Sequence, residues 1–205
     1  MSPLDKLIAY FEKFPGVGAR QARRFAFHIL TLKPTENSEL ASLITSLPSS
    51  VTECPSCRRF FAKTGQMESC SICSSVNRDH TKLMVVARDS DIQAIEKSGF
   101  YDGLYFVLGG TIPLLNHDDT STKIRSGALK ALIEQRQKSG LAEVICAFAV
   151  NPDGENTARF TEKLIKGLDT TLTIKVSQLG RGLSTGSELE YADPETIKSA
   201  LKNRS

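Results

Sequence analysis

The 205-residue sequence predicts an α/β protein in four parts: a basic helical hairpin, a small cysteine-bearing insert, a parallel α/β sheet domain, and a glycine-rich, helical C-terminal tail. Three observations lead there. Apolar residues recur at helical spacing on both sides of Pro15-Gly16-Val17-Gly18. Two Cys-x-x-Cys pairs, Cys54/Cys57 and Cys70/Cys73, are separated by twelve residues. From Lys82 onward, short β-branched and aromatic runs alternate with helical patterns, the alternation that builds a parallel sheet.

Hydrophobic content of 40% and charged content of 24% are those of an ordinary globular chain, long enough for one main domain with smaller attachments. No apolar run approaches the roughly 20 residues needed to cross a bilayer. Residues 1–13 mix Asp5, Lys6, Glu12 and Lys13 among apolar positions, unlike a signal peptide. The expected location is cytoplasmic, where thiols stay reduced. Net charge is only +3, but its distribution is uneven. Residues 1–33 carry six basic and two acidic side chains, a balance of +4, against 20 basic and 21 acidic in the remainder. A polyanion would bind at the first segment.

In chain order, Leu4, Leu7, Ile8 and Phe11 predict a helix over residues 3–13, opened by Pro3. After the glycine turn, Ala22, Phe25, Ala26, Ile29 and Leu30 mark the buried face of a second helix reaching about Leu32. Gly16 and Gly18 leave the backbone N–H groups of the turn and of the helix start open to a phosphate. Arg20 and Arg24 lie one turn apart and Arg23 is adjacent, so all three address one anionic backbone. This pattern resembles the helix–hairpin–helix motif, which binds DNA phosphates without reading sequence and weakens steeply with salt. The alternative is a helical hairpin whose arginines merely face water. His28 is expected to be an ordinary surface or core-edge residue.

Leu40, Leu43, Ile44 and Leu47 predict a third helix within residues 35–50, ended by Pro48. In each cysteine pair the two-residue gap lets both thiolates reach one tetrahedral cation, and the intervening loop brings the pairs together. That is the pattern of one structural zinc site with four sulfur ligands and no open position. Two disulfides, or cysteines simply buried in a core, are the alternatives. Cys146, inside the apolar run 144–150, reads as a small buried hydrophobe.

The sheet domain is expected to hold strands over 82–87, 104–108, 143–150 and 172–178, and helices over 91–97, 126–138 and 155–168. Ligand-facing loops should then lie at the carboxyl ends of strands: Ala87–Asp91, Gly109–Thr120 and Asn151–Glu155. Asp153 and Glu155, with Asp89 and Asp91 on a neighbouring loop, could hold Mg²⁺ for phosphoryl chemistry. Equally, they could be turn and helix-capping residues.

Taken together, these motifs resemble those of the bacterial recombination mediator family RecR. The resemblance rests on Pro15-Gly16-Val17-Gly18, the two cysteine pairs, Val85-Val86-Ala87 with Asp91 to Glu96, and Tyr105 to Gly110. It continues through Asn151-Pro152 with Gly154 to Ala158, and Gly180 to Leu183 with Gly186 to Asp193, so it covers nearly the whole chain in order. It implies a DNA-binding helix–hairpin–helix segment over 1–53, a zinc finger over 54–78, a Toprim domain over 79–177 and a C-terminal Walker-B-like and helical tail over 178–205. It further implies a homo-oligomer, dimer or tetramer, that rings DNA. Such a protein works with RecO and RecF to help RecA replace single-strand-binding protein at gaps.

Departures from the pattern bear on chemistry. Catalytic Toprim enzymes end the first strand with a glutamate, where this chain has Ala87, and their later Asp-x-Asp is replaced by Asn151-Pro152-Asp153-Gly154-Glu155. Alanine neither binds metal nor moves a proton, so a cleavage centre lacks its acid/base. Asp153 and Glu155 are then expected to meet a partner protein or hold the helix start. No phosphate-cradling Gly-x-x-x-x-Gly-Lys-Ser/Thr loop accompanies 180–193, which reads as packing or subunit exchange instead of ATP hydrolysis. The expected function is that of a non-enzymatic DNA-binding mediator. The alternatives are a Mg²⁺-dependent nuclease or topoisomerase-like enzyme built on Asp153, Glu155 and Asp91, and an adaptor that only joins proteins.

Overall fold

The computed structural model describes residues 1–63, 65, 67–114, 124–168, 173–180, 194 and 196–198. Residues 181–193, expected to pack or exchange between subunits, and 115–120 of the expected loop Gly109–Thr120 lie outside them. The chain forms two compact units, residues 1–52 and 53–205.

The first unit is helical: α1 (Pro3–Phe11), α2 (Ala19–Thr31) and α3 (Pro34–Ser50). Ser2 opens α1 with a capping box, its hydroxyl accepting the Asp5 N–H while the Asp5 carboxylate accepts the Ser2 N–H. Ala22 and Ala26 are the fully buried residues of α2, and Phe11 meets the Phe14 and Phe25 rings edge-on at 5.7 and 5.9 Å. Phe25 and Leu30, expected on the buried face, are instead 45% and 67% exposed. At 100° per residue, Ala22, Ala26 and Ile29 span a narrow arc with Phe25 and Leu30 on opposite flanks, and one short helix cannot cover both. Nor does Pro48 end α3, which runs on to Ser50. Pro48 removes a single backbone bond in the last turn, where the Ser49 and Ser50 hydroxyls donate to the Ser46 and Leu47 carbonyls.

Two three-residue strands, β1 (Val51–Glu53) and β2 (Phe60–Ala62), form a ribbon around the first cysteine pair. Strands that short carry no readable period, and the sequence did not reveal them. Beyond the second pair come β3 (Asp79–Val86), α4 (Asp89–Ser98), β4 (Gly103–Val107), α5 (Ser126–Gln137), β5 (Glu143–Ala147), α6 (Pro152–Leu168) and β6 (Lys175–Gln178). The sheet order is β4-β3-β5-β6 and every pairing is parallel. Leu83, Val85, Val86, Leu104, Phe106 and Ile133 are among its fully buried core residues. The chain steps outward from β3 to β4 and then returns past β3 to β5. Winding therefore reverses between β3 and β5, the point where such sheets open a crevice at the strand carboxyl ends.

Two helices start earlier than their apolar pattern suggests, for capping reasons. Asn151 Oδ1 accepts the Gly154 N–H at 2.8 Å and Pro152 takes the first helical position, so α6 begins three residues before Glu155. A Cβ on Gly154 would run into the Ala149 carbonyl oxygen, so only glycine lets the chain turn this tightly from β5 into α6. Similarly, Asp91 accepts the Arg88 N–H at 2.8 Å and α4 begins at Asp89.

Candidate functional site

The sulfur atoms of Cys54, Cys57, Cys70 and Cys73 all lie within 4.8 Å of one another, with Cys57 and Cys70 at 3.6 Å, and none is disulfide-bonded. Four thiolates at Zn–S distances of about 2.3 Å would stand roughly 3.8 Å apart, so the donor set fits one tetrahedral metal. The first three cysteines are buried and Cys73 is half-buried. Packed this closely, the thiols compete for ionisation, and the one that carries the charge holds the others neutral. The contact with Cys70, then that with Cys73, and burial push Cys57 far above the usual thiol range, while the same Cys57 contact pulls Cys70 down. Contact with Cys57 lowers Cys73, but the contact with Cys70 and burial outweigh it and leave Cys73 at about 12. A divalent cation would relieve that mutual repulsion by neutralising all four sulfurs together.

Backbone geometry prepares this cluster. Arg58, directly after Cys57, adopts a left-handed φ of 63° that closes the first turn, and the Cys70 N–H donates to Cys54 Sγ at 3.5 Å. The cluster is tied to the sheet at two points. The Val107 N–H at the end of β4 donates to the Cys57 carbonyl at 2.8 Å, which covers the end of that edge strand. Asp89, at the first position of α4, accepts the Phe60 N–H at 2.8 Å. Glu53, just before Cys54, pairs with both Arg58 (3.4 Å) and Arg125 (3.3 Å).

At the winding reversal, β3 ends next to Ala87 and β5 runs into Phe148 and Ala149, none of which ionises. The carboxylates nearby each have an architectural partner. Asp91 accepts the Arg88 N–H, and Asp153 accepts the Leu114 N–H at 3.0 Å. Asn156 Nδ2 donates to the Ile112 and Pro113 carbonyls, while Thr157 Oγ1 accepts the Ile112 N–H at 2.8 Å. Together Asp153, Asn156 and Thr157 hold residues 112–114 against the start of α6. Glu155 pairs with Arg159 one turn along, at 3.6 Å. Among the described residues, the four cysteines are the set of metal-ligating side chains brought together. Cys146 is buried on β5, and burial pushes its thiol up to about 12, as suits an inert core residue.

In the first unit, Gly16 sits at φ +77°, a conformation that favours glycine. Gly18 is the extended N-cap of α2. A Cβ at either would touch nothing within 4 Å, so the turn is open. Gly18 offers no side-chain cap, and the first turn of α2 contains no acidic residue. Arg20, Arg23 and Arg24 are exposed and line one shallow groove along α2, and Arg24 donates to Gln21 Oε1 at 3.3 Å. Phe27, His28 and Thr31 continue that groove.

Sequence reasoning did not anticipate Glu53, Asp89, Arg125 or Asn156 as anchors of these sites. Glu53 and Arg125 are 72 residues apart, and Phe60 and Asp89 are 29 apart, so no local pattern links them. The one signal on hand for Asn156 and Thr157 was their place in the segment Gly154 to Ala158.

Three family models match: RecR helix-hairpin-helix at residues 4–47, a Toprim domain at 81–179, and RecR C-terminal at 182–205. A protein named recombination protein RecR from Lactobacillus helveticus is 37% identical over 204 residues, covering 98% of this chain and 96% of its own length. Namesakes from Lactobacillus acidophilus and Streptococcus thermophilus are each 36% identical, covering 98% and 99% of this chain and 96% of theirs. With the helical hairpin, the four-cysteine cluster and the parallel sheet in the same order, the chain belongs to the RecR family.

Proposed function

We propose that this protein is a non-enzymatic DNA-binding mediator of recombination and repair. The relatives' shared name supports the recombination role. The observation that carries DNA binding is the groove of Arg20, Arg23 and Arg24 beside the open Gly16–Gly18 turn. Guanidiniums on one face, next to an uncapped helix start, suit a run of phosphates and read no bases. Cys54, Cys57, Cys70 and Cys73 would hold one zinc ion, which pins the ribbon to the sheet and has no open position for chemistry.

The carboxyl edge of the sheet, with Asp153 and Glu155 at the start of α6, serves on this reading as a face for protein partners of the RecO and RecF kind, acting before RecA loading. A clamp of two or four copies would use the apolar side of α3, where Leu43, Ile44 and Leu47 are 60%, 64% and 58% exposed. A Mg²⁺-dependent nuclease gains little support, since Asp91 and Asp153 already accept backbone N–H groups and the reversal point ends in Ala87 and Phe148.

The test is retention of labelled DNA at low salt by the wild type and by an Arg20→Ala/Arg24→Ala variant, each with and without Mg²⁺. Loss of retention in the variant, with zinc content and melting unchanged, is the expected result. Undiminished retention would refute the DNA assignment, and strand cleavage abolished by Asp153→Asn would refute the non-enzymatic one.

A further inference from the structure

We propose that Phe27 is a base-stacking platform and that the arginine face of α2 is built for single-stranded nucleic acid. This rests on the DNA-binding reading of that face and names its substrate class. Helical geometry puts Ala22, Ala26 and Ile29 on the inward side of α2. Arg20, Arg24, Phe27 and Thr31 fall on the opposite side with Arg23 on its flank, and all five line one groove. Phe27 follows Arg24 by three residues and Arg23 by four, the spacings at which helix side chains are neighbours. The residue is 55% exposed. The hairpin does not need it, since Ala22, Ala26 and the Phe11–Phe25 contact close that core.

A phenyl ring among guanidiniums matches what a strand with unstacked bases requires. Cations hold successive phosphates while the ring takes a base face. In a duplex the base faces are already stacked on one another, so only the arginines would engage it. The rival occupant is a second copy of this chain. Pairing two such faces would set three guanidiniums against three, with no acidic residue in the first turn of α2 to offset them.

The full chain contains no tryptophan, so Phe27→Trp places a lone indole reporter in the groove. Titration with an oligothymidylate should quench its fluorescence, whereas a duplex of equal length should not. Phe27→Leu keeps an apolar side chain but loses the ring. It should weaken oligothymidylate binding roughly 5- to 140-fold and duplex binding by less than about twofold. An unquenched indole, or equal losses on both DNAs, would overturn the proposal. So would a change in solution mass with the single-strand to duplex ratio unaltered, because a second copy would then be what covers the ring. Arg20→Ala/Arg24→Ala run in parallel separates the two failures. If it leaves both affinities intact, the nucleic-acid reading itself is wrong. If it weakens both while Phe27→Leu weakens neither, only the single-strand inference falls.

Discussion

Arg125 reaches back across 72 residues of chain to place its Nη2 at 3.3 Å from the Glu53 carboxylate, next to the first cysteine turn. Its Nη1 donates to the Val107 carbonyl and stands 3.1 Å from where a Cβ on Gly109 would be, while its own N–H donates to the Leu108 carbonyl. Val107 in turn donates to the Cys57 carbonyl. The cysteine cluster, the end of β4 and the start of α5 are thus joined in one network. Stripping the metal with a chelator is therefore expected to speed amide exchange at Val107 and Arg125 as well as within 54–73. Glu53→Gln with metal bound should reproduce the Arg125 part alone, at a stability cost of about 1 kcal/mol for a half-buried pair that solvent still screens. Exchange changes confined to 54–73 would contradict the coupling.

Glu96 makes stability depend on acid. The Arg78 guanidinium pairs with it and holds its carboxyl below the usual range, assisted by the Tyr105 hydroxyl donating at 2.6 Å. A lowered folded value means that the contribution is complete above the unfolded value, about 4.3, and fades as pH falls through the folded one. The wild-type melting temperature should accordingly fall more steeply below about pH 4.3 than that of Glu96→Gln. Parallel slopes in thermal melts between pH 7 and pH 3 would remove Glu96 from the account.

Gly154→Ala tests the turn into α6. The added methyl has the Ala149 carbonyl oxygen in its path and Asn151 Oδ1 at 3.2 Å, so backbone must move. Unfolding in urea should show a loss of about 3 kcal/mol or more. Gly127→Ala, whose Cβ would meet nothing within 4 Å, is the control and should change little.

Leu43→Glu combined with Ile44→Glu puts two charges on the exposed side of α3. If that side joins copies, the variant's mass by light scattering should drop to a smaller species with the fold retained. An unchanged mass would move the contact elsewhere.

The strands and helices of the sheet domain were largely legible, because buried parallel strands give dense apolar runs and the intervening helices keep a clear period. Boundaries failed where capping overrides period. Asn151-Pro152 looked like a loop ending but is an N-cap with a first-turn proline, and Pro48 looked like a stop yet lies inside α3. The cysteine spacing foretold the cluster, whereas its supports at Glu53, Asp89 and Arg125 arise from tertiary contacts that no local pattern encodes. Phe25 and Leu30 share the apolar side of α2 yet stay exposed, because apolar spacing says which residues share a side, not how wide the covering helix is.

The most direct test of the central claim is the salt dependence of DNA affinity for the wild type against Arg20→Ala/Arg24→Ala. Each phosphate contact contributes about 0.9 to the slope of log affinity on log salt for a duplex, so losing two should flatten it by roughly 2. The expected result is that flattening, equal on unrelated sequences, with metal content unchanged. Identical slopes for the two proteins would contradict the account.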